Sequence, residues 1–147
     1  MRVIVQRSKN SNVVIENKVY GEINSGLVVL VGFTEGDNLS DIEYIVKKIV
    51  NLRIFDDDAG IMNKSILDTN GEILSISQFT LYANTKKGNR PSYIDALSSE
   101  KAIKLYDQFN NMLREHLSVK TGVFGAEMEV NIINDGPITI FIDSKNR

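Results

Sequence analysis

One run of apolar residues limits the possible folds of this chain more than any other feature. Residues 27–32, Leu-Val-Val-Leu-Val-Gly, show no alternation between apolar and polar side chains. A strand of this kind is covered on both faces, as in the middle of a sheet. The run therefore predicts a central strand. A chain of 147 residues is long enough to bury a substantial core around it as a single domain, residues 1–147.

Further strands are predicted near both ends of the chain. The segment 12–20 is interpreted as a hairpin, and residues 127–133 and 138–143 as two strands joined by a tight turn at 134–137. The Gly136–Pro137 bond in that turn is a candidate cis bond, because its tertiary amide prefers trans by only about 0.5–1 kcal/mol.

Two helices are predicted from apolar residues at helical spacing. Ser40 and Glu43 have the spacing of a capping box at the start of the first, and the second runs from Ser99 to Glu115. The apolar faces contain Ile42, Ile45, Val46, Ile49 and Val50 in the first helix and Ala102, Leu105, Tyr106, Phe109, Met112 and Leu113 in the second. The predicted fold class is therefore α+β: a β-rich domain whose mixed or antiparallel sheets form a barrel-like or layered core, with two main helices packed outside.

Composition excludes several classes of function. The chain has no cysteine, which excludes disulfides, thiolate zinc sites and cysteine nucleophiles. Its net charge of −2 argues against a surface that wraps a polynucleotide, so any nucleic-acid contact is expected to be local and DNA is not an expected partner. No apolar run reaches the roughly 18 residues of a membrane span, and residues 3–5 are too short a run for a signal peptide. We therefore expect a cytoplasmic protein without a membrane partner.

The chain lacks the common metal and cofactor motifs. An EF-hand loop beginning at Asp56 would need glycine and glutamate where Ile61 and Leu67 stand, so the acidic cluster is interpreted as a hairpin loop. There is no glycine-rich phosphate loop and no dinucleotide fingerprint. The single histidine, His116, ends the second predicted helix, where a cation is favoured by the helix dipole. We therefore expect no metal and no cofactor.

The stretch Ile73–Ala83, I-L-S-I-S-Q-F-T-L-Y-A, is predicted as a strand with a polar middle. Ser77, Gln78 and Thr80 need partners or an opening, because an unpaired buried polar group costs about 1–3 kcal/mol. Consecutive residues of a strand point to opposite faces, so one solvated face does not account for both Ser77 and Gln78. A pocket at the end of the strand does, although a solvated face remains the alternative for the strand alone.

The next loop, residues 84–91, carries Lys86, Lys87 and Arg90 and no negative charge. Most charge runs of this kind are simply solvated. Because the loop directly follows the polar strand, Lys86 and Arg90 are also candidates for binding the phosphates of a substrate.

Two signatures point to a family. Ser77–Ala83 resembles the S-Q-F-T signature of D-aminoacyl-tRNA deacylases, and Asn134–Thr139 is similar to their second signature, N-x-G-P-V-T. Residues 90–92 and 121–126 are also similar to the family, and the likeness covers the whole chain. The visible departure is Ile138 in place of valine, a methylene change that alters no chemical group.

The resemblance implies a carboxylic ester hydrolase that removes D-amino acids from the 3′-terminal adenosine of tRNA, a chiral proofreading activity. It also implies a homodimer in which the Gly-Pro turn of the partner subunit completes each site. The residues that it assigns to the site are Ser77, Gln78, Phe79 and Thr80 as the pocket floor, Gly136 and Pro137, with a cis bond between them, at the amino-acid end, and Phe124 and Met128 near the adenosine end.

Two mechanisms are compatible with the resemblance. In one, Thr80 is the nucleophile; in the other, backbone groups position the ester while the ribose 2′-hydroxyl helps to activate water. A threonine hydroxyl needs a base within hydrogen-bond reach, and the motif offers only Ser77 and Gln78, which accept a proton poorly at neutral pH. The residues favour the second mechanism, with the amides of Phe79 and Thr80 stabilising the oxyanion, a device worth about 2.7–4 kcal/mol per donor.

Rejection of L-amino acids needs a physical barrier. A ~10⁴-fold preference is about 5.5 kcal/mol, whereas pocket fit offers only about 1–3 kcal/mol per methylene. A rigid backbone wall at Gly136–Pro137 would reject an L side chain by collision. Glycine has no side chain and is expected to pass the wall.

Two other classes of function remain open. A non-catalytic module would bind the end of an RNA through Lys86, Lys87 and Arg90, and a structural homodimer would bury the polar strand at its interface. Amino-acid release from D-tyrosyl-tRNA separates the enzyme from the module, and the structural dimer would show no salt-dependent affinity for tRNA.

Overall fold

A computed structural model describes all residues, 1–147. The strands are β1 (Arg2–Ile15), β2 (Lys18–Gly32), β3 (Phe55–Asp56), β4 (Met62–Lys64), β5 (Glu72–Ser77), β6 (Val119–Thr121) and β7 (Glu129–Asp143). The helices are α1 (Leu39–Asn51) and α2 (Ser99–Arg114), and a short 3-10 helix covers Phe79–Tyr82. No helix is long and apolar enough to cross a membrane.

The main sheet is mixed and has the strand order β6-β5-β2-β1-β7. β1 pairs antiparallel with β2 and β7, whereas β5 is parallel to both β2 and β6. The prediction of a central strand at residues 27–32 is confirmed, because β2 lies in the middle. The barrel-like alternative is wrong, since β6 and β7 are unpaired edges and the sheet stays open. The α+β class with two outer helices and a layered core is confirmed.

The two faces of the sheet are covered in different ways. The larger core cluster joins one face to both helices, with Val29, Ile45 and Phe109 fully buried. The smaller cluster on strands β1, β2 and β5 contains Val28 and Ile76 and involves no helix. Alternate residues of the continuous apolar run in β2 therefore enter different clusters.

The predicted hairpin and helices are confirmed, but the first capping box is not. Glu16 and Asn17 turn β1 into β2 with φ of 49° and 62°, as a type I′ turn requires. α1 begins two residues earlier than Ser40 and Glu43 predicted, because Asn38 caps it: the Asn38 side chain accepts from the Ser40 amide, and the Asp41 carboxylate accepts from the Asn38 amide at 3.0 Å. Both boxes have the same spacing, and the fold uses the upstream one.

The acidic loop is a hairpin, as predicted. β3 and β4 pair antiparallel across it. One carboxylate oxygen of Asp57 accepts from the amides of Ala59 at 2.9 Å and Ile61 at 3.1 Å, and these bonds lower the pKa of Asp57. The carboxylate therefore organises the turn itself.

The prediction of two C-terminal strands joined by a tight turn is wrong. β7 is one strand, and both of its halves pair antiparallel with β1, at Ser8–Asn134 and Gln6–Thr139. Residues 135–138 bulge out opposite the single residue Arg7, so the chain bends without reversing. The Gly136–Pro137 bond is cis, as predicted, and Gly136 has a φ of 122°.

The predicted strand at Ile73–Ala83 is also too long. β5 ends at Ser77, the Gln78 amide donates to the Val31 carbonyl at 2.7 Å, and the chain then turns into the 3-10 helix. Gly32 makes this crossing possible, because a Cβ there would lie 2.8 Å from the Gln78 carbonyl oxygen. The polar residues thus sit where a strand becomes a helix.

Candidate active site

A cleft of about 600 Å³ opens where β5 ends. It lies between the strand-to-helix crossing, the N-terminal end of α2 and the segment that precedes β7. The residues that line it are Gly32, Phe33, Ile76, Ser77, Gln78, Phe79, Tyr93, Ala96, Leu97, Ser98, Ser99, Ala102, Phe124, Gly125, Ala126, Met128 and Val130. The pocket at the end of the strand accounts for Ser77 and Gln78, whereas Thr80 does not line it.

The crossing presents backbone amides. Within the 3-10 helix, the Leu81 amide donates to the Gln78 carbonyl at 3.3 Å and the Ala83 amide donates to the Thr80 carbonyl at 3.0 Å. The amides of Phe79 and Thr80 come before the first such donor, so by position no carbonyl inside the helix satisfies them. They are therefore available to an acceptor from outside the chain.

The Gln78 side chain donates a hydrogen bond to the Thr80 hydroxyl. Ser77, Gln78 and Phe79 line the cleft, whereas Thr80 is held behind them through this bond. Because the Gln78 amide nitrogen donates, it has no means of taking the Thr80 proton. The geometry therefore offers no activation of Thr80 as a nucleophile.

The cleft of a single chain contains no general base. None of its 17 lining residues is a histidine, lysine, arginine or carboxylate, and Tyr93 is the only titratable one. His116 lines a separate cavity of about 230 Å³, together with Glu72 and Ser118. His116 is therefore not available to Ser77 or any other residue of the cleft, and proton transfer in the cleft needs a group from the substrate, water or another chain.

The far wall of the cleft is apolar and held in place. The Phe124 ring packs against Tyr106 with centroids 5.8 Å apart, and the Tyr106 hydroxyl donates to the Ser75 carbonyl at 2.8 Å. Burial raises the pKa of Tyr106, so its hydroxyl stays protonated as that donor. Met128 fits closely over Gly122, where a Cβ would lie 2.3 Å from the sulfur. The structure thus brings Phe124 and Met128 to the same cleft as Ser77.

The basic loop connects the strand-to-helix crossing to Tyr93, which lines the cleft. Asn84 and Ser92 close its base with paired backbone hydrogen bonds of 2.8 and 2.9 Å. Lys86, Lys87 and Arg90 are exposed, form no ion pair and do not line the cleft. The loop is tethered to the cleft through the next residue, Tyr93, whose ring meets Phe79.

The Gly136–Pro137 bend lies elsewhere on the chain. Both residues are exposed on edge strand β7, and neither lines the cleft of the same chain. Asn134 spans the bend, accepting from the Ile138 amide at 3.2 Å and donating to the Thr139 hydroxyl at 2.8 Å. The Asp135 carboxylate lies 3.0 Å from the Arg7 Nε, an ion pair without hydrogen-bond geometry. The bend is therefore anchored by side chains of its own chain.

Several residues of the cleft had no signal in the sequence. Gly32 ends the central strand and Phe33 follows it, Tyr93 follows the basic loop, and Ser98 caps α2, which begins at Ser99. Their common feature is distance along the chain from Ser77. Only Gly32 gave a signal in the sequence, since a glycine within a strand often marks the close approach of another backbone segment.

Comparisons with known proteins agree over nearly the whole chain. The model of a family described as D-Tyr-tRNA(Tyr) deacylase matches residues 4–143. A D-aminoacyl-tRNA deacylase of Clostridium acetobutylicum is 54% identical over 146 residues, which cover 99% of this chain and 98% of that protein. A solved structure named c-Myc DNA unwinding element binding protein is 39% identical with a TM-score of 0.93, covering 97% of this chain and 98% of that one.

The same fold occurs at lower identity. The structure of a probable eukaryotic D-amino acid tRNA deacylase has a TM-score of 0.82 at 17% identity, covering 96% of this chain and 97% of that one.

Proposed function

Because the chain belongs to the D-Tyr-tRNA(Tyr) deacylase family, we propose that its cleft hydrolyses the ester between a D-amino acid and the 3′-terminal adenosine of tRNA. The chain is an enzyme, a hydrolase of D-aminoacyl-tRNA. One observation supports this choice of site most directly. The cleft joins the strand-to-helix crossing, through Ser77, Gln78 and Phe79, to the apolar wall of Phe124 and Met128.

The proposed chemistry uses the backbone rather than a side-chain nucleophile. A water oxygen attacks the ester carbonyl carbon, and the amides of Phe79 and Thr80 donate to the oxygen that becomes negative. Such donors are worth about 2.7–4 kcal/mol each. The carbon–oxygen bond to the ribose then breaks, and the departing 3′-oxygen takes up a proton to become a hydroxyl.

The substrate supplies the missing proton acceptor in this proposal. No lining side chain is a usable base at neutral pH. The ribose 2′-hydroxyl is adjacent to the ester, so it lies close enough to orient the attacking water and relay its proton. Terminal 2′-deoxyadenosine in the acceptor should therefore lower the rate of hydrolysis far more than it lowers affinity.

The substrate is proposed to lie with its adenosine toward Phe124 and Met128. Both side chains are fixed by neighbours, so they offer a preformed apolar surface to the base. The phosphates leaving the cleft would then pass Lys86 and Arg90 at the rim. We infer that the enzyme works in the cytoplasm, where its aminoacyl-tRNA substrate is made.

A second copy of the chain is proposed to complete the site. β7 is an edge strand of 15 residues on which Ile133 and Phe141 are more than half exposed, a surface that usually pairs or is covered. The Gly136–Pro137 bend on that strand is exposed and anchored, yet it is absent from the cleft of its own chain. In a homodimer, the bend of one subunit would reach the cleft of the other.

The bend would act as the wall that rejects L-amino acids. It excludes by backbone collision, which does not depend on the identity of the side chain. Glycyl-tRNA should therefore be deacylated at a measurable rate while L-alanyl-tRNA resists. The measurement is release of labelled amino acid from the two matched esters, and equal resistance of glycyl and L-alanyl esters would count against the wall.

The experiment that tests the proposed function is release of amino acid from D-tyrosyl-tRNA, with L-tyrosyl-tRNA as the matched control. We expect rapid release from the D ester alone. Tight tRNA binding without release would support a non-catalytic module that binds the RNA end, and absence of both would support a purely structural dimer.

A further inference from the structure

Three exposed apolar side chains lie at the outer edge of the cleft or directly next to it in the sequence. They are Phe79, Tyr93 and Ile94, which are 54%, 42% and 85% exposed; we call them the aromatic rim. Phe79 and Tyr93 also line the cleft, so the rim continues its wall outward. Large apolar groups that cluster in the open beside a cavity usually mark a binding surface.

The aromatic rim is held rigidly before anything binds. The rings of Phe79 and Tyr93 meet edge to face, with centroids 5.1 Å apart and planes at 71°. The backbone before Tyr93 is fixed by the Asn84–Ser92 pair, and the backbone after it by the Thr34 hydroxyl, which donates to the Asp95 carbonyl at 2.6 Å. A rigid platform loses little conformational entropy when a ligand stacks on it.

The charge around the rim selects the kind of ligand. Residues 84–95 contain three cations, Lys86, Lys87 and Arg90, against one acidic residue, Asp95, in a chain whose net charge is −2. All three cations are exposed and free of ion pairs. Stacking surfaces combined with unpaired cations are what proteins use to bind single-stranded nucleic acid.

We propose that the aromatic rim stacks the base of the nucleotide that precedes the terminal adenosine, while the loop cations contact its flanking phosphates. The inference rests on the proposed function, because it takes the terminal adenosine to lie in the cleft. A strand that leaves the cleft on the side of Phe79 would meet Tyr93, whose ring contacts Phe79 edge to face. The enzyme then recognises an unpaired RNA end and not merely an aminoacyl-adenosine.

The test compares two substrates that differ only in the upstream nucleotides, D-tyrosyl-tRNA and D-tyrosyl-adenosine. Tyr93→Ala should lower kcat/KM for the tRNA roughly 5- to 100-fold more than it lowers the value for D-tyrosyl-adenosine, because one stacking aromatic is lost. Tyr93→Phe keeps the ring and should restore activity on the tRNA. Ile94→Ala should show the same selective loss, and its largely exposed side chain is dispensable for folding.

A matched control is Ile61→Ala, which removes an isoleucine that is 63% exposed on the acidic hairpin and should change neither substrate. Equal losses on both substrates would overturn the proposal, because Tyr93 would then act on the terminal adenosine or on the shape of the cleft. No loss on either substrate would overturn it as well. So would a lower native mass for Ile94→Asp, since the rim would then be a contact between two copies of the chain.

A binding measurement keeps this inference separate from the proposed function. A fluorescent RNA tetranucleotide that ends in adenosine and carries no amino acid should lose roughly 5- to 100-fold more affinity through Tyr93→Ala than adenosine monophosphate loses. If the wild type releases no amino acid but this difference in affinity appears, the proposed function is contradicted and the proposed role of the aromatic rim is supported. If release is normal but the difference in affinity is absent, the proposed role of the aromatic rim is contradicted and the proposed function is supported.

Discussion

The N-terminal ends of the two helices show opposite designs. At α1, Asn38 and Asp41 cap each other, and Asp41, only 3% exposed, also pairs with Lys145 at 2.8 Å. At α2, the capping residue Ser98 makes no side-chain hydrogen bond and lies open on the cleft. The first end is closed by its own chain, and the second leaves polar groups for a ligand.

The contrast between the two helix ends indicates which substitutions should affect stability and which should affect activity. At the start of α1 the polar groups hydrogen-bond to each other, so removing one of them should lower the stability of the fold. Polar groups that open on the cleft, together with the adjoining crossing at Ser77–Thr80, cost little to change unless the substrate uses them. Substitutions at the two regions should therefore affect different measurements.

The largest effect is expected from Gly32→Ala at the crossing. The new Cβ would lie 2.8 Å from the Gln78 carbonyl oxygen and 3.1 Å from the Leu81 Cβ, so the 3-10 helix must shift. A displacement of this kind typically costs about 100-fold in rate. The measurement is kcat/KM for D-tyrosyl-tRNA.

The matched control is Gly71→Ala, whose Cβ would lie 2.8 Å from the Ile66 Cγ1, at the end of β5 opposite to the cleft. Both variants should lose stability, and only Gly32→Ala should lose its rate. If the two variants lost activity in parallel with their stability, the crossing would have no special role in catalysis.

A smaller effect, on folding alone, is expected at the closed end. Burial by itself would raise the pKa of Asp41, but hydrogen bonds from Lys145, Ser144 and the Asn38 amide outweigh it and lower the pKa to about 2. The folded pKa lies below the ordinary value of 3.8, so the ionised group stabilises the fold above about pH 4, by about 2 kcal/mol. That contribution is lost as the pH falls from about 4 to about 2.

Asp41→Asn should therefore lower the free energy of unfolding by about 2 kcal/mol at pH 7 and flatten its dependence on pH between about 4 and 2. Urea unfolding across that range measures both effects. Activity per folded molecule should stay at the wild-type value, and a large drop in kcat would mean that the closed end communicates with the cleft.

The cations of the two regions also differ in whether they form ion pairs. Lys145 is paired with Asp41, whereas Lys86 and Arg90 are unpaired. Lys86→Ala combined with Arg90→Ala should make the salt dependence of tRNA affinity shallower by about 1.4 in the log–log slope, about 0.7 per phosphate contact to a single strand. Lys145→Met should leave that slope unchanged and lower stability instead. An unchanged slope in the double variant would show that the loop is merely solvated.

The smallest effect is expected from Thr80→Ala. Its hydroxyl accepts from Gln78 behind the cleft, so the change removes one positioning contact and leaves the backbone amides in place. We expect a loss of a few fold in kcat with tRNA affinity unchanged. A fall to background with intact folding and binding, together with rescue by Thr80→Ser, would favour Thr80 as the nucleophile.

At two places the prediction from the sequence was wrong, because a local pattern favoured one structure and long-range contacts favoured another. The N-D-G-P stretch has the composition of a reversing turn, but pairing of both halves of β7 with β1 makes it a bulge. The Ser40 and Glu43 pair fits a capping box, yet Asn38 and Asp41 fit one equally well, and the contact of Asp41 with Lys145 lies 104 residues away. Local sequence patterns distinguish such alternatives poorly, because long-range pairing contributes free energy that the patterns do not reflect.

The sequence alone determined what depends on neighbouring residues: the apolar faces of both helices, the buried middle of β2, and the polar residues that end β5. Periodicity and turn chemistry express these features directly. The tertiary structure brings Tyr93, Ser98 and Ser99 to the cleft of Ser77 and keeps Gly136–Pro137 outside the cleft of its own chain. Those neighbours are set by strand order and register, which come from the packing of the whole sheet and leave no trace in local spacing.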